Sequence, residues 1–357
     1  MKGKLGYKVS KLYPMKGVTA IMEENLPKVT IITLAYNVEK YIHQCIKSVL
    51  DQSFTEFQWV ILDNGCTDGT SEILEEYAKK DKRIKLFKNK RNSLIYDEPN
   101  VNEFTQYIEN LDTEYYCTLD SDDYIHKDFL KELYEIAKLN NADISVCAVH
   151  IFEDENPQAV TIRYCPDFCT KDITKIGDIF PQIYNCFRPM WGKLVKTEII
   201  KKTAKYIAEN NIKVTNGADT INCIQYLRFS NTLVAVNKEL YYYRTRNDSL
   251  YNSNIGKDRY MAYLKIYTES KSLLESWNKL DNNNLNFIAS MLNYSLIYCV
   301  YLAANVTRGS IKERIEVITA ILSDKSVREI LNDSGLLFDL IDECIKSLNR
   351  IAKRSAN

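Results

Sequence analysis

Between residues 29 and 119, short runs of β-branched and aromatic residues alternate with stretches of helical period, a pattern few folds can satisfy. Val29–Ala35 (VTIITLA) has the unbroken apolar character of a strand covered on both faces. Val38, Tyr41, Ile42, Cys45, Ile46, Val49 and Leu50 then recur as one face of an amphipathic helix. Phe57–Leu62 predicts a second strand, and Ile73, Leu74, Tyr77 and Ala78 the inner face of a second helix. Arg83–Phe87 and Tyr115–Leu119 predict two more strands, with a helix between them near 102–110. Such alternation builds βαβ units, so the expected fold is α/β, a mixed but mainly parallel sheet flanked by helices.

Beyond Asp123 the pattern loosens. Phe129–Ile136 and Ile173–Tyr184 have helical period, Ile144–Phe152 and Val160–Tyr164 read as strands, and Ser230–Arg246 reads as two strands around Asn237. From about Asp258 every segment is helical, with breaks at 281–284, 307–309 and 332–335. The expected organisation is an extension over 1–28, an α/β domain over 29–254 and a C-terminal helical domain over 255–357.

The 47 basic residues balance the 47 acidic ones, so no overall field draws the chain to nucleic acid. Cys45, Cys117, Cys223 and Cys299 lie in apolar periodic segments, as buried free thiols do, and three histidines argue against a zinc site. Free thiols without an export signal lead to the expectation of a cytoplasmic protein, with a peripheral seat on the inner membrane face as the alternative. Phe287–Ala304 reaches the roughly 18 residues a membrane span needs. Its Ser290, Asn293, Ser295 and three tyrosines favour a buried bundle helix instead.

Open α/β sheets bind ligands at the carboxyl ends of their strands. Three strands end here in polar clusters: Tyr36–Asn37, Asp63–Thr70 and Asp120–Asp123. Turn chemistry explains any one of them but not three at one edge. In the Asp-x-Asp triplet around Ser121, Asp120 and Asp122 put carboxylates where they repel each other unless a cation intervenes, and hard Mg²⁺ or Mn²⁺ suits carboxylate and phosphate oxygens. Asp123 equally suits the N-cap of the helix that follows.

VTIITLAYN, LDNGCTDGT and LDSDDYI, in that order and at these distances, resemble the N-terminal half of the family 2 glycosyltransferases, which have the Rossmann-like GT-A fold. The likeness runs over about Lys28–Thr245. It implies an inverting transfer of a sugar from a nucleotide-diphosphate donor, a UDP-sugar by preference, to a hydroxyl of a glycan, lipid-linked saccharide or protein. Leu34 and Tyr36 would line the pyrimidine pocket, and Asp63 and Asn64 would bind the base, with Asn64 where members often have Asp. Asp120 and Ser121 would meet the donor, and Asp122 would hold the metal.

Arg188–Leu194 resembles the family's tryptophan segment beside the acceptor, placing Trp191 and Gly192 in the sugar pocket, although Trp191 also reads as core. Asn216–Asp219 resembles the Gly-Glu-Asp segment, with Ala218 in place of Glu and Asp219 as the catalytic base or a plain helix cap. Arg244 and Arg246 resemble the segment that closes on the diphosphate, although surface arginines fit as well. The loop at 88–100 departs from the family pattern, so no contact is carried over from it. The helical tail lies outside the likeness and is assigned to acceptor access, or to self-association as a homo-oligomer or with a partner.

Other classes fit less well. A nucleotidyltransferase or a dinucleotide-dependent oxidoreductase needs a glycine-rich phosphate loop after the first strand, and Leu34-Ala35-Tyr36-Asn37 has none. A catalytically degenerate, nucleotide-sugar-binding scaffold stays open because of Ala218 and the altered loop.

Overall fold

The computed structural model describes residues 26–92, 102–212, 216–246, 256–305 and 310–355. Strands β1 (Val29–Ala35), β2 (Phe57–Asp63), β3 (Ile84–Lys88) and β4 (Tyr115–Thr118) alternate with helices α1 (Glu39–Leu50), α2 (Thr70–Lys80) and α3 (Asn102–Glu109). After β4 come β5 (Tyr124–Ile125), α4 (Phe129–Asn140), β6 (Ile144–Glu153), β7 (Val160–Arg163) and β8 (Phe168–Thr170). A 3₁₀ turn over Ile173–Ile179 leads into α5 (Phe180–Phe187), then β9 (Lys193–Lys196), α6 (Thr197–Glu209), α7 (Ala218–Phe229) and β10 (Leu233–Thr245). The tail holds α8 (Lys257–Ser276), α9 (Asn282–Asn305), α10 (Ile311–Ser323), α11 (Lys325–Asp333) and α12 (Leu337–Ser355).

The strands form one mixed sheet in the order β3-β2-β1-β4-β9-β6-β10-β5, with β7 added to β6 and β8 to β10. The longer registers are parallel: β1 on β2 from Val29 opposite Phe57 to Ala35 opposite Asp63, and β10 on β6 from Leu233 to Thr245. β9 runs antiparallel between β4 and β6 and welds the N-terminal βαβ half to the second half. Its four residues show no sequence period, which is why β9 escapes a pattern reading.

The stretch 230–246 is one strand, not two. Asn237 and Lys238 are taken up by register shifts between Val236 and Tyr241, a bulge that leaves the ladder continuous on either side. Asn237 N–H donates to Asp167 Oδ1 at 2.8 Å, so the polar pair finds a partner without a turn.

One sheet face packs on α1 and α4 through Val29, Ile31, Ile42, Ile46, Leu130 and Leu133. On the second half of the sheet, Ile144, Val146 and Leu233 share a continuous core with α5 and α7 and with Leu273, Leu292, Ile318 and Leu340 of the tail. The core of the tail is thus continuous with that of the second half of the sheet; the expected boundary at 254/255 falls outside the described residues.

Among the described residues α9 alone has the length and hydropathy of a membrane-spanning helix. Its Ile288, Leu292, Leu296, Val300 and Ala303 are buried in the bundle, as expected of a core helix. Arg314, itself buried, donates to the carbonyls of Ala303 and Ala304 at 2.6 and 2.5 Å, satisfying the last turn of α9 where a cation also meets the helix dipole.

Candidate functional site

The carboxyl ends of β1, β2 and β4 lie side by side, because β1 pairs in parallel with both neighbours. At the end of β1, Leu34 is 41% exposed and Tyr36 half-buried. Asn37 takes a left-handed backbone (φ 50°) and clasps Thr67 of the next strand end, accepting from its N–H at 2.8 Å. At the end of β2, Asp63 is buried and accepts from Cys66 N–H at 3.0 Å and Ser71 Oγ at 2.6 Å. Burial raises its pKa, but these bonds and Lys88 outweigh that and hold it below the usual carboxylate range. Asn64 donates to Asn92 at 2.9 Å and accepts from Asn89 at 2.8 Å. Asp63 and Asn64 thus organise the strand-end turn. Gly65 (φ 76°) is obligatory in it, since a Cβ would lie 2.4 Å from the Arg91 backbone.

At the end of β4 three acids meet three fates. Asp123 is buried and accepts from Tyr241 Oη at 2.8 Å and Arg244 N–H at 2.7 Å. Asp122 pairs with Arg246 at 2.8 Å. The Asp120 carboxylate faces the cleft with no hydrogen-bond or salt-bridge partner among the described residues. Although water reaches it, protein crowds it on most sides, and that desolvation with the charges of Asp122 and Asp219 pushes its pKa up to about 8. Neighbouring carboxylates of which Asp120 has no cationic partner among the described residues suit a divalent cation. Mg²⁺ typically takes one or two carboxylates with phosphate oxygens, and Asp120 and Asp122 are chemically that donor set. Among the described residues no group of three or more ligating side chains offers a dedicated cage. Ser121 is buried beside them.

Asp219 comes to the same edge from the far half of the chain. Gly217, left-handed at φ 71°, opens α7 without a side-chain cap, and a Cβ there would lie 2.7 Å from Ile266 Cδ1 of α8. Asp219 therefore stands exposed in the first turn without capping it, and its carboxylate has no hydrogen-bond or salt-bridge partner among the described residues. Desolvation raises its pKa, and Lys193 and Arg188 oppose that rise.

Trp191 is 5% exposed, stacked on Tyr241 at 4.9 Å and Tyr243 at 5.0 Å, with Arg163 over its ring at 5.3 Å. It is a wall element and not an open stacking platform for a sugar. Gly192 (φ 72°) turns the chain beside it, and buried Lys193 ties the turn down through the carbonyls of Pro189 and Trp191. Arg244, expected to grip a diphosphate, has its guanidinium engaged within the protein. Its guanidinium donates to Asp122 O at 2.9 Å, Asp154 at 2.8 Å and Gln44 at 2.6 Å, while Arg246 neutralises Asp122. A sequence pattern locates an arginine but does not show which carboxylates fold against it.

Arg246 also lines an open cleft of about 590 Å³ with Asn37, Lys40, Tyr41 and Asp68 at the start of α1. No unpartnered acid with a raised pKa lines that cleft, so the reactive groups are assigned to the edge of Asp120 and Asp219. Arg163 and Arg188 stand beside that edge. Sequence reading gave them no role, and only the Arg188-Pro189 start of the tryptophan segment hinted at one.

Residues 30–197 match the model of a family described as "Glycosyl transferase family 2". Asp219, Arg244 and Arg246 lie outside that match. The chain is 27% identical over 278 residues to the glycosyltransferase GlyA of Streptococcus pneumoniae, a match covering 75% of this chain but only 38% of GlyA. It is 22% identical over 228 residues to GlyG of the same organism, covering 62% of this chain and 72% of GlyG. In fold it resembles TarS 1–349 of S. aureus, solved in complex with UDP-GlcNAc, with a TM-score of 0.61, 20% identity and coverage of 92% of this chain and 91% of that one. At 92% coverage, the shared fold takes in the helical tail, beyond the extent expected from sequence.

Proposed function

Proceeding from the match of residues 30–197 to the model of glycosyl transferase family 2, we propose that the chain transfers a sugar from a UDP-sugar to an acceptor hydroxyl with inversion at the anomeric carbon. The observation that carries this reading is the meeting of two unpartnered carboxylates, Asp120 and Asp219, at the carboxyl edge of the sheet. The UDP-GlcNAc held by TarS is in keeping with a UDP-linked donor.

In this reading Leu34 and Tyr36 offer the apolar and aromatic surface for the uracil, beside the turn that Asp63 and Asn64 organise. Asp120, and Asp122 once released from Arg246, would hold Mn²⁺ or Mg²⁺, and the metal, when bound, would neutralise the charge that develops on the leaving group. Asp219 takes the proton of the acceptor hydroxyl as its oxygen bonds to the anomeric carbon. The bond from that carbon to the diphosphate oxygen breaks, and UDP leaves with the electron pair. A raised pKa suits this task, because a base works best when its pKa lies near the operating pH.

The test is release of UDP from a panel of UDP-sugars by the full chain, with Mn²⁺ and with EDTA. Cation-dependent release from at least one member, abolished in Asp122→Ala, supports the reading. Tight UDP binding with no turnover on any donor or acceptor would favour the scaffold alternative suggested by Ala218.

A further inference from the structure

Four charged side chains around the cleft have neither a hydrogen-bond nor a salt-bridge partner among the described residues: Asp120, Asp219, Arg163 and Arg188. The acids have their use above, and the arginines do not. Arg163 ends β7 opposite Val149 of β6, and the same Val149 side chain lies 3.5 Å from where a Cβ on Gly192 would stand. Arg163 is half-buried over the Trp191 ring. Arg188 is exposed and opens the turn that carries Trp191 and Gly192, near enough to Asp219 to oppose the rise in its pKa. Burial and the neighbouring Arg188 pull the pKa of Arg163 down to about 10. Arg188 and Lys193 thus act on Asp219, and Arg163 adds a second guanidinium beside Arg188. Surface arginines are ordinarily solvated apart. Two held together in a partly dry wall are costly until an anion joins them.

We propose that the acceptor carries a phosphate or carboxylate beside the hydroxyl that is glycosylated, and that Arg163 and Arg188 hold this anion while Asp219 faces the hydroxyl. The inference rests on the transferase reading and names its acceptor class. Guanidinium groups match both anions through paired, planar N–H donors, and they order a flexible acceptor without taking part in the chemistry.

The test titrates the full chain, saturated with UDP and Mg²⁺ so that the diphosphate site is filled, with glycerol 3-phosphate, glycerate and glycerol by calorimetry. One or both anions bind and glycerol does not, and the preferred anion identifies the group. Arg163→Gln and Arg188→Gln each weaken that binding by about tenfold or more, the usual weight of a hydrogen bond to a charged group. Arg188 is exposed, so its variant folds even if the one at Arg163 does not; Arg163→Lys, which keeps the charge, covers that case and retains part of the affinity. Anions binding no better than glycerol, or binding Arg188→Gln as tightly as the parent, would overturn the proposal. UDP affinity is read on the same samples. Its absence defeats the transferase reading, and the titration, repeated without UDP, still decides whether the arginines form an anion site.

Discussion

The end of β4 and the end of β10 both gather charged residues at the same sheet edge, yet they use them in opposite ways. At β10, Arg244 spends its guanidinium on Asp122 O, Asp154 and Gln44, its backbone N–H serves Asp123, and Arg246 closes on Asp122. At β4, Asp120 is left with like charges around it and no partner. Asp122 apart, where a cation would have to take over from Arg246, charge that the fold has satisfied holds the edge together, and charge it leaves unsatisfied is free for a ligand. Unpartnered charge is therefore a better guide to chemistry here than charge density, and it costs stability that the β10 side supplies.

The sharpest way to break this contrast is Asp219→Asn, which keeps size and polarity but cannot take a proton. Transfer should fall by roughly two to four orders of magnitude, with UDP binding and melting temperature near those of the parent. Arg244→Ala should act the opposite way. It takes one partner from Asp154, which keeps Lys40 and Tyr41, and uncaps the Asp122 carbonyl, and should cost about 1–3 kcal/mol by chemical denaturation. A reversed outcome, with Arg244→Ala stable but unable to bind UDP, would return Arg244 to the diphosphate.

A smaller effect lies in the pH dependence. The folded pKa of Asp120 is about 8, above its unfolded value, so its contribution to stability is fully present below about pH 4 and is lost as pH rises towards 8. Comparing parent and Asp120→Asn melting temperatures at pH 5 and pH 8 isolates this contribution, and the advantage of the variant should be clearly larger at the higher pH. Addition of UDP and Mg²⁺ should shrink the difference by stabilising the parent alone.

The same contrast sorts what the sequence could disclose. The β4 half is built from consecutive βαβ units, whose periods and strand-end clusters lie within about ninety residues, so Leu34, Asp63, Asn64 and Asp120 were all legible as neighbours at one edge. The second half depends on pairings distant in sequence. β9, four residues long, inserts between β4 and β6, and a bulge carries β10 past Asn237. Trp191 could be named from its segment, but whether it faces sugar or core depends on Tyr241 and Tyr243, fifty residues away. Arg163 has no local signature, because its meaning comes from Arg188 and Trp191 across the fold. The tail looked separate because helical period records an apolar face, not what covers it; here the cover is α5 and α7.

The central claim, that Asp123, bonded on both oxygens, holds this edge while unpartnered Asp120 serves the ligand, is tested most directly on these two acids, three residues apart. Asp120→Asn and Asp123→Asn are compared at pH 8 for melting temperature and for UDP affinity with and without Mg²⁺. Asp120→Asn should melt at or above the parent and lose the Mg²⁺-dependent part of UDP binding. Asp123→Asn should melt well below the parent, because a buried acceptor of the Tyr241 hydroxyl and the Arg244 N–H is weakened, and should keep cation-dependent binding wherever it remains folded. An Asp120→Asn protein that is destabilised yet binds UDP and Mg²⁺ like the parent would contradict the account.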